Sequence, residues 1–92
     1  SRMENLVASK IAYGNSIRAV TGCLQKFFPQ MTERDLQGFI YAFFPFMFGI
    51  YPYTVVTEKQ KEALERSHTN YVFLSIYEIT RDMVVKLLRE YE

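Results

Sequence analysis

Two side chains in this sequence have the intrinsic reactivity for nucleophilic chemistry, Cys23 and His68, and each residue type occurs once. A thiolate–imidazole pair needs the two groups within hydrogen-bond reach and a third group to orient the base. Nothing local builds that arrangement. His68 sits in the turn-forming run Ser67-His68-Thr69-Asn70, remote in sequence from Cys23. Cys23 falls on a side of small residues with Ala8, Ala12 and Ala19, where it reads as a buried, inert thiol. A single cysteine excludes an internal disulfide, and no Cys/His cluster has zinc spacing. The carboxylates stand on charged faces, where solvation is the default. The sequence therefore points away from an enzyme and calls for no metal or organic cofactor. A reducing cytoplasm is the expected home for the unpaired thiol, and no basic-then-apolar signal is expected at the start.

Phosphate chemistry is excluded on charge. Eleven basic and ten acidic residues leave a formal charge of +1. From Thr57 onward there are six Lys/Arg and seven Asp/Glu, so no stripe of one sign is hidden in the average. DNA contact by these residues alone is not expected.

The remaining chemistry is non-covalent, and it is concentrated in FIYAFFPFMFGIYPYTVV, Phe39 to Val56, which holds five phenylalanines, three tyrosines and two prolines. From Leu36 to Thr57, 22 residues pass without an ionisable acid or base. A membrane span, a helix buried on nearly all sides and an aromatic ligand pocket are each physically admissible. About 20 apolar residues cross a bilayer. Here, however, two prolines and three tyrosines interrupt the run, no Lys/Arg asymmetry flanks it, and Pro52 would stop the helix before it crossed. A helix apolar all round belongs at the centre of an assembly. A proline inside such a helix frees a carbonyl and opens space between neighbours.

The elements that would position these rings are four helices with no strand. The first spans about Met3 to Phe28, with Leu6, Tyr13, Ile17, Val20, Leu24 and Phe27 at helical spacing. Pro29 ends it. Thr32, followed three residues on by Asp35, marks the start of a second helix over Glu33 to Ile50, with a kink expected at Pro45. Thr57 and Gln60 form a capping-box pattern that opens a short charged helix to Arg66. The last helix is expected over Tyr71 to Tyr91, with Phe73, Ile76, Tyr77, Thr80, Met83, Val84, Leu87, Leu88 and Tyr91 on one broad apolar face. At 92 residues, of which 49% are hydrophobic, one domain is expected, near the lower size limit for a self-sufficient core. The opening SRMENL lacks a leading methionine, and a fragment of a longer protein is expected.

FFPFMFGIYPYTVVTEKQKEAL resembles the C-terminal domain of tetracycline-repressor-like (TetR/AcrR) transcriptional regulators. The likeness is strongest from Leu36 to Leu64. The flanking LQKFFPQMTERDLQGFIY and NYVFLSIYEITRDMVVKLL are compatible with it but less specific, and together they extend it over roughly 80% of the chain. This resemblance implies an all-α helical bundle, residues 1–92, that senses a small-molecule inducer and forms a homodimer. A helix-turn-helix DNA-binding domain would precede it and is absent here. It implies a four-helix-bundle seam from the helices Glu33–Ile50 and Tyr71–Tyr91 of each subunit. The alternative is a purely structural helical interaction domain, or a small membrane-associated protein, without a ligand.

Two sets of residues carry these expectations. An apolar small-molecule inducer would lie between the first two helices, against Tyr13, Ile17, Tyr41, Phe44 and Phe48, because the Pro45 kink falls beside the small face at Ala12 and Ala19. The dimer face would carry Phe39, Phe43, Phe46, Phe73, Ile76, Met83 and Leu87. Exposed together, these would exceed the apolar patch a monomer tolerates, and a copy of the chain buries such a face with itself.

Overall fold

The computed structural model describes all residues from Ser1 to Glu92. It is all-α: α1 (Arg2–Phe27), α2 (Glu33–Gly49), α3 (Tyr51–Thr54), α4 (Glu58–Arg66) and α5 (Ile76–Leu88), followed by a 3-10 turn over Arg89–Tyr91. The chain divides into two compact units. One comprises Ser1–Tyr41 with Glu90–Glu92, and the other comprises Ala42–Arg89.

In the first unit, α1 opens on a reciprocal cap, with the Glu4 amide donating to Ser1 Oγ at 3.2 Å. Tyr13, Ile17, Val20 and Leu24 lie on its covered stripe, three of them half-buried and Leu24 buried. Phe28 continues that stripe half-buried, whereas Leu6 and Phe27 are exposed. Helical spacing therefore located the face, and its ends are shifted. The small side at Ala8, Ala12, Ala19 and Cys23 is open to solvent throughout. Cys23 is thus an exposed free thiol and not a buried one. The small residues around it set no neighbouring helix against that side.

At Phe28 the helix stops, its amide donating to the Leu24 carbonyl at 2.7 Å. Pro29 prevents continuation. Thr32 then caps α2. The Asp35 amide donates to Thr32 Oγ1 at 3.1 Å, and the Thr32 amide donates to Asp35 Oδ2 at 2.8 Å. Leu24, Met31, Leu36 and Phe39 are the buried residues of this unit.

In the second unit, α2 continues unbroken across Pro45 to Gly49. Pro52 then sits in the first turn of α3, a single turn in which the missing proline N–H has no helical partner to lose. Phe44 and Ile50 are buried, and Phe44 meets Phe43 edge-on at 5.2 Å between centroids and Phe48 at 6.4 Å. The Thr80 hydroxyl donates to Met47 Sδ at 3.6 Å, tying α5 to α2. Thr57 caps α4 as expected, with reciprocal bonds to Gln60 of 3.0 and 3.2 Å.

The expected helix over Tyr71 to Tyr91 starts five residues late. Tyr71 to Ser75 lie outside any helix, with Ser75 itself extended at φ −71° and ψ 160°, and α5 begins at Ile76. The reason is chemical. Ser75 accepts from the Glu78 amide at 3.1 Å while its own amide donates to Glu78 Oε1 at 3.2 Å, a capping box that places the helix start after Ser75. The β-branched and aromatic run Tyr71-Val72-Phe73 has little helical propensity with which to extend backwards.

Candidate functional site

The five residues expected to line an inducer cavity divide between the units. In the first, Tyr13 and Ile17 are half-buried on α1 and Tyr41 is 75% exposed. In the second, Phe44 and Phe48 are brought together, Phe44 buried and Phe48 70% exposed. Among the residues expected at a dimer face, Phe39 is buried in the first unit. In the second, Phe43, Phe46, Met83 and Leu87 are half-buried, while Phe73 and Ile76 are exposed.

Sequence reasoning missed an open, largely apolar groove of the second unit. Three short segments converge on it. Pro52, Tyr53 and Val56 come from α3 and its exit, Gln60, Ala63, Leu64 and Ser67 from α4 and its end, and Tyr71 and Phe73 from the stretch between α4 and α5. Its volume is about 530 Å³. A second hollow of about 410 Å³ adjoins it through the shared Tyr53 and Tyr71, and runs to Pro45, Phe46, Gly49, Ile50 and Ile79. The Tyr71 and Phe73 rings lie 5.0 Å apart and form one wall. Tyr53 belongs to the aromatic run visible in sequence, whereas Tyr71 and Phe73 were expected inside the last helix. Their convergence was hidden because it depends on that helix starting only at Ile76.

The turn that closes α4 makes this possible. The Thr69 amide donates to the Leu64 carbonyl and the His68 amide to the Glu65 carbonyl, at 3.0 and 3.1 Å. His68 has φ of 56°, the left-handed conformation that this C-terminal motif requires. The only histidine is therefore a turn residue, and it reverses the chain so that Tyr71 faces α4. No group of three or more His, Cys, Asp or Glu residues is placed to hold a metal ion.

In the first unit, two titratable groups lie against one another. Hydrogen bonding from the Thr32 backbone holds the Asp35 carboxyl below the usual carboxylate range, helped by the Tyr91 hydroxyl and by Thr32 Oγ1. Tyr91 is half-buried, and loss of solvent together with its bond to Asp35 pushes the phenol up to about 12. Gln30 Nε2 donates to the Tyr91 carbonyl, so the chain end is clasped to the α1–α2 turn twice.

The chain is all-α, and its aromatic residues are concentrated along α2 and the segments that follow it. Comparison with family models gives this architecture a name. The tetracyclin repressor-like, C-terminal domain model matches residues 1–89. The chain belongs to this family, whose members are C-terminal domains of transcriptional regulators with ligand-binding and dimerisation roles, and generally not enzymes. Neither the curated proteins nor the solved structures provide a match. No helix of the chain is long and apolar enough to cross a membrane.

Proposed function

We propose that this chain is the effector-sensing and homodimerisation domain of a bacterial cytoplasmic repressor, joined to an N-terminal helix-turn-helix domain that releases DNA when an inducer binds. The observation that carries this reading, beside family membership, is the apolar run from Tyr71 to Tyr77. Tyr71, Val72, Phe73, Leu74, Ile76 and Tyr77 are all exposed in the single chain. A contiguous face of this kind marks an interaction surface, and a second copy of the chain supplies a self-complementary one. Phe73 and Ile76 form the open part of the seam, flanked by the half-buried Phe43, Phe46, Met83 and Leu87. Phe39, also expected at the dimer face, is buried in the first unit. Inducer binding at Tyr13, Ile17, Tyr41, Phe44 and Phe48 is one location to test, through Phe44→Ala.

Size-exclusion chromatography with light scattering at micromolar concentration tests the dimer. A thermal-shift screen of small molecules on the same sample tests effector binding. A dimer whose melting point rises with at least one small molecule is expected. A stable monomer that no compound shifts would sink the reading.

A further inference from the structure

We infer that the groove walled by Tyr53, Leu64, Tyr71 and Phe73 takes a neutral, elongated, largely apolar small molecule that carries one hydrogen-bond acceptor at its end. This rests on the effector-binding reading above and gives it a location and a ligand class.

The volume, about 530 Å³, falls within the range of about 300–1,000 Å³ typical of small-molecule sites. Its walls come from three separate segments, so the ligand is contacted from several sides. By contrast, the hollow along Met3, Val7, Ile11 and Arg18 is lined by a single helix. Aromatic faces at Tyr53, Tyr71 and Phe73 offer stacking surface, and Val56, Ala63 and Leu64 complete an aliphatic side.

Charge argues for a neutral occupant. No acidic or basic side chain lines either hollow. The nearest cation, the Lys61 ammonium, is 5.8 Å from the Phe73 ring centroid, and its charge is met by Glu58 Oε1 at 3.4 Å. A ligand carrying a full charge would lose hydration with no counter-ion in the groove to replace it.

Polarity argues for one acceptor at one end. Gln60 Oε1 already accepts from the Thr57 amide, which leaves the Gln60 NH₂ to donate into the groove. Ser67 Oγ is engaged with the Leu64 carbonyl and Thr69 Oγ1. Beyond Tyr53 and Tyr71, the adjoining hollow offers Pro45, Phe46, Ile50 and Ile79 and no polar side chain except those two phenols. The ligand's acceptor therefore faces Gln60, and its apolar body extends past the tyrosines toward Ile50, which is only 4% exposed and forms a dry floor.

Prodan, a neutral naphthalene with a ketone at one end, is a suitable fluorescent probe. Anilinonaphthalene sulfonate is its anionic counterpart. Ala63→Trp fills the groove from an exposed helical position whose caps are untouched, and Tyr71→Ala removes one wall. Prodan is expected to bind the full chain saturably, with each substitution weakening it by about tenfold or more, equivalent to about 1.4 kcal/mol. The anionic probe is expected to bind more weakly than prodan by a similar factor. Circular dichroism should be unchanged in both variants, and light scattering should be unchanged in Ala63→Trp, which lies outside the run from Tyr71 to Tyr77.

Equal prodan affinity in the parent and in Ala63→Trp would overturn this site and leave the effector reading standing. Tighter binding of the anionic probe would overturn the ligand class. A dimer that Ala63→Trp converts to monomer would make the groove a protein seam and overturn the assignment. Absence of saturable prodan binding overturns it too. If the thermal-shift screen is also blank, the effector reading falls with it.

Discussion

The α1–α2 turn and the stretch from Tyr71 to Tyr77 are built from similar kinds of residue, and the single chain treats them in opposite ways. Around the turn, Leu24, Met31, Leu36 and Phe39 are buried, two reciprocal bonds fix Thr32 to Asp35, and Gln30 and Asp35 clasp Tyr91. In the later stretch Val72 and Tyr77 are each 73% exposed, and no hydrogen bond to another segment holds the run. A region whose apolar groups are covered by its own chain is a folding core. One whose apolar groups are left in water is a surface that awaits something, a second subunit or a ligand.

The largest effect should come from charging the open region. Ile76→Asp combined with Leu87→Asp leaves unpaired carboxylates at the proposed seam, at a cost of several kcal/mol. Light scattering should then report monomer at concentrations where the parent chain is dimeric. A dimer of unchanged stability would remove these residues from the interface. Next in size is the closed region. Leu36→Ala opens a cavity beside Leu24 and Phe39 and should lower unfolding free energy by about 2–5 kcal/mol. Val72→Ala, a substitution at an exposed position, should stay within about 0.5 kcal/mol in the monomer. Denaturant titration of both variants measures the contrast, and equal losses would abolish the distinction between the two regions.

The closed region was also the more legible one in sequence. Pro29, the Thr32–Asp35 spacing and the Tyr13, Ile17, Val20, Leu24 stripe are local signals, and each marks the structure where it stands. The Thr57–Gln60 box was equally readable. What failed was a contest between two signals. Continuous apolar periodicity from Tyr71 favoured a longer helix, but the Ser75–Glu78 box set the start at Ile76. The groove depends on that outcome, since Tyr71 and Phe73 wall it from the stretch before the Ser75 cap, so it could not be read before the helix boundary was known. Cys23 was misplaced for a different reason. Small residues permit close approach without requiring it, and a monomer leaves them bare.

A smaller effect should follow pH through Asp35 and Tyr91 of the closed region. Asp35 is lowered in the folded chain, so its contribution to stability is present above its ordinary pKa of about 4 and is lost as pH falls through and below that value. Tyr91 is raised to about 12, so its contribution is full below about 10, the ordinary phenol value, and disappears between about 10 and 12. Tyr91→Phe should therefore flatten the alkaline limb of the melting-temperature profile. Asp35→Asn should flatten the acid limb. If both variants track the parent at the two extremes, the clasp contributes nothing.

The smallest expected change sits at the hinge between α4 and the open stretch. His68 adopts φ of 56°, a conformation in which a Cβ crowds the backbone. The turn needs that conformation, because the Thr69 and His68 amides reach the Leu64 and Glu65 carbonyls only when the chain reverses there. Glycine meets the requirement without the steric cost, although it loses more conformational freedom on folding. The side chain forms no hydrogen bond or ion pair that the substitution would remove, since the turn's bonds run through the backbone and through Ser67 and Thr69. His68→Gly should then raise stability by about 0.5–1 kcal/mol, the relief of strain outweighing the entropy difference. Thermal denaturation at neutral pH measures it, with His68→Ala as the control that keeps the Cβ and gains nothing. A glycine variant less stable than the parent would mean that the imidazole makes a contact the turn depends on. The reversal that points Tyr71 toward α4 would then owe its geometry to a side chain and not to the backbone.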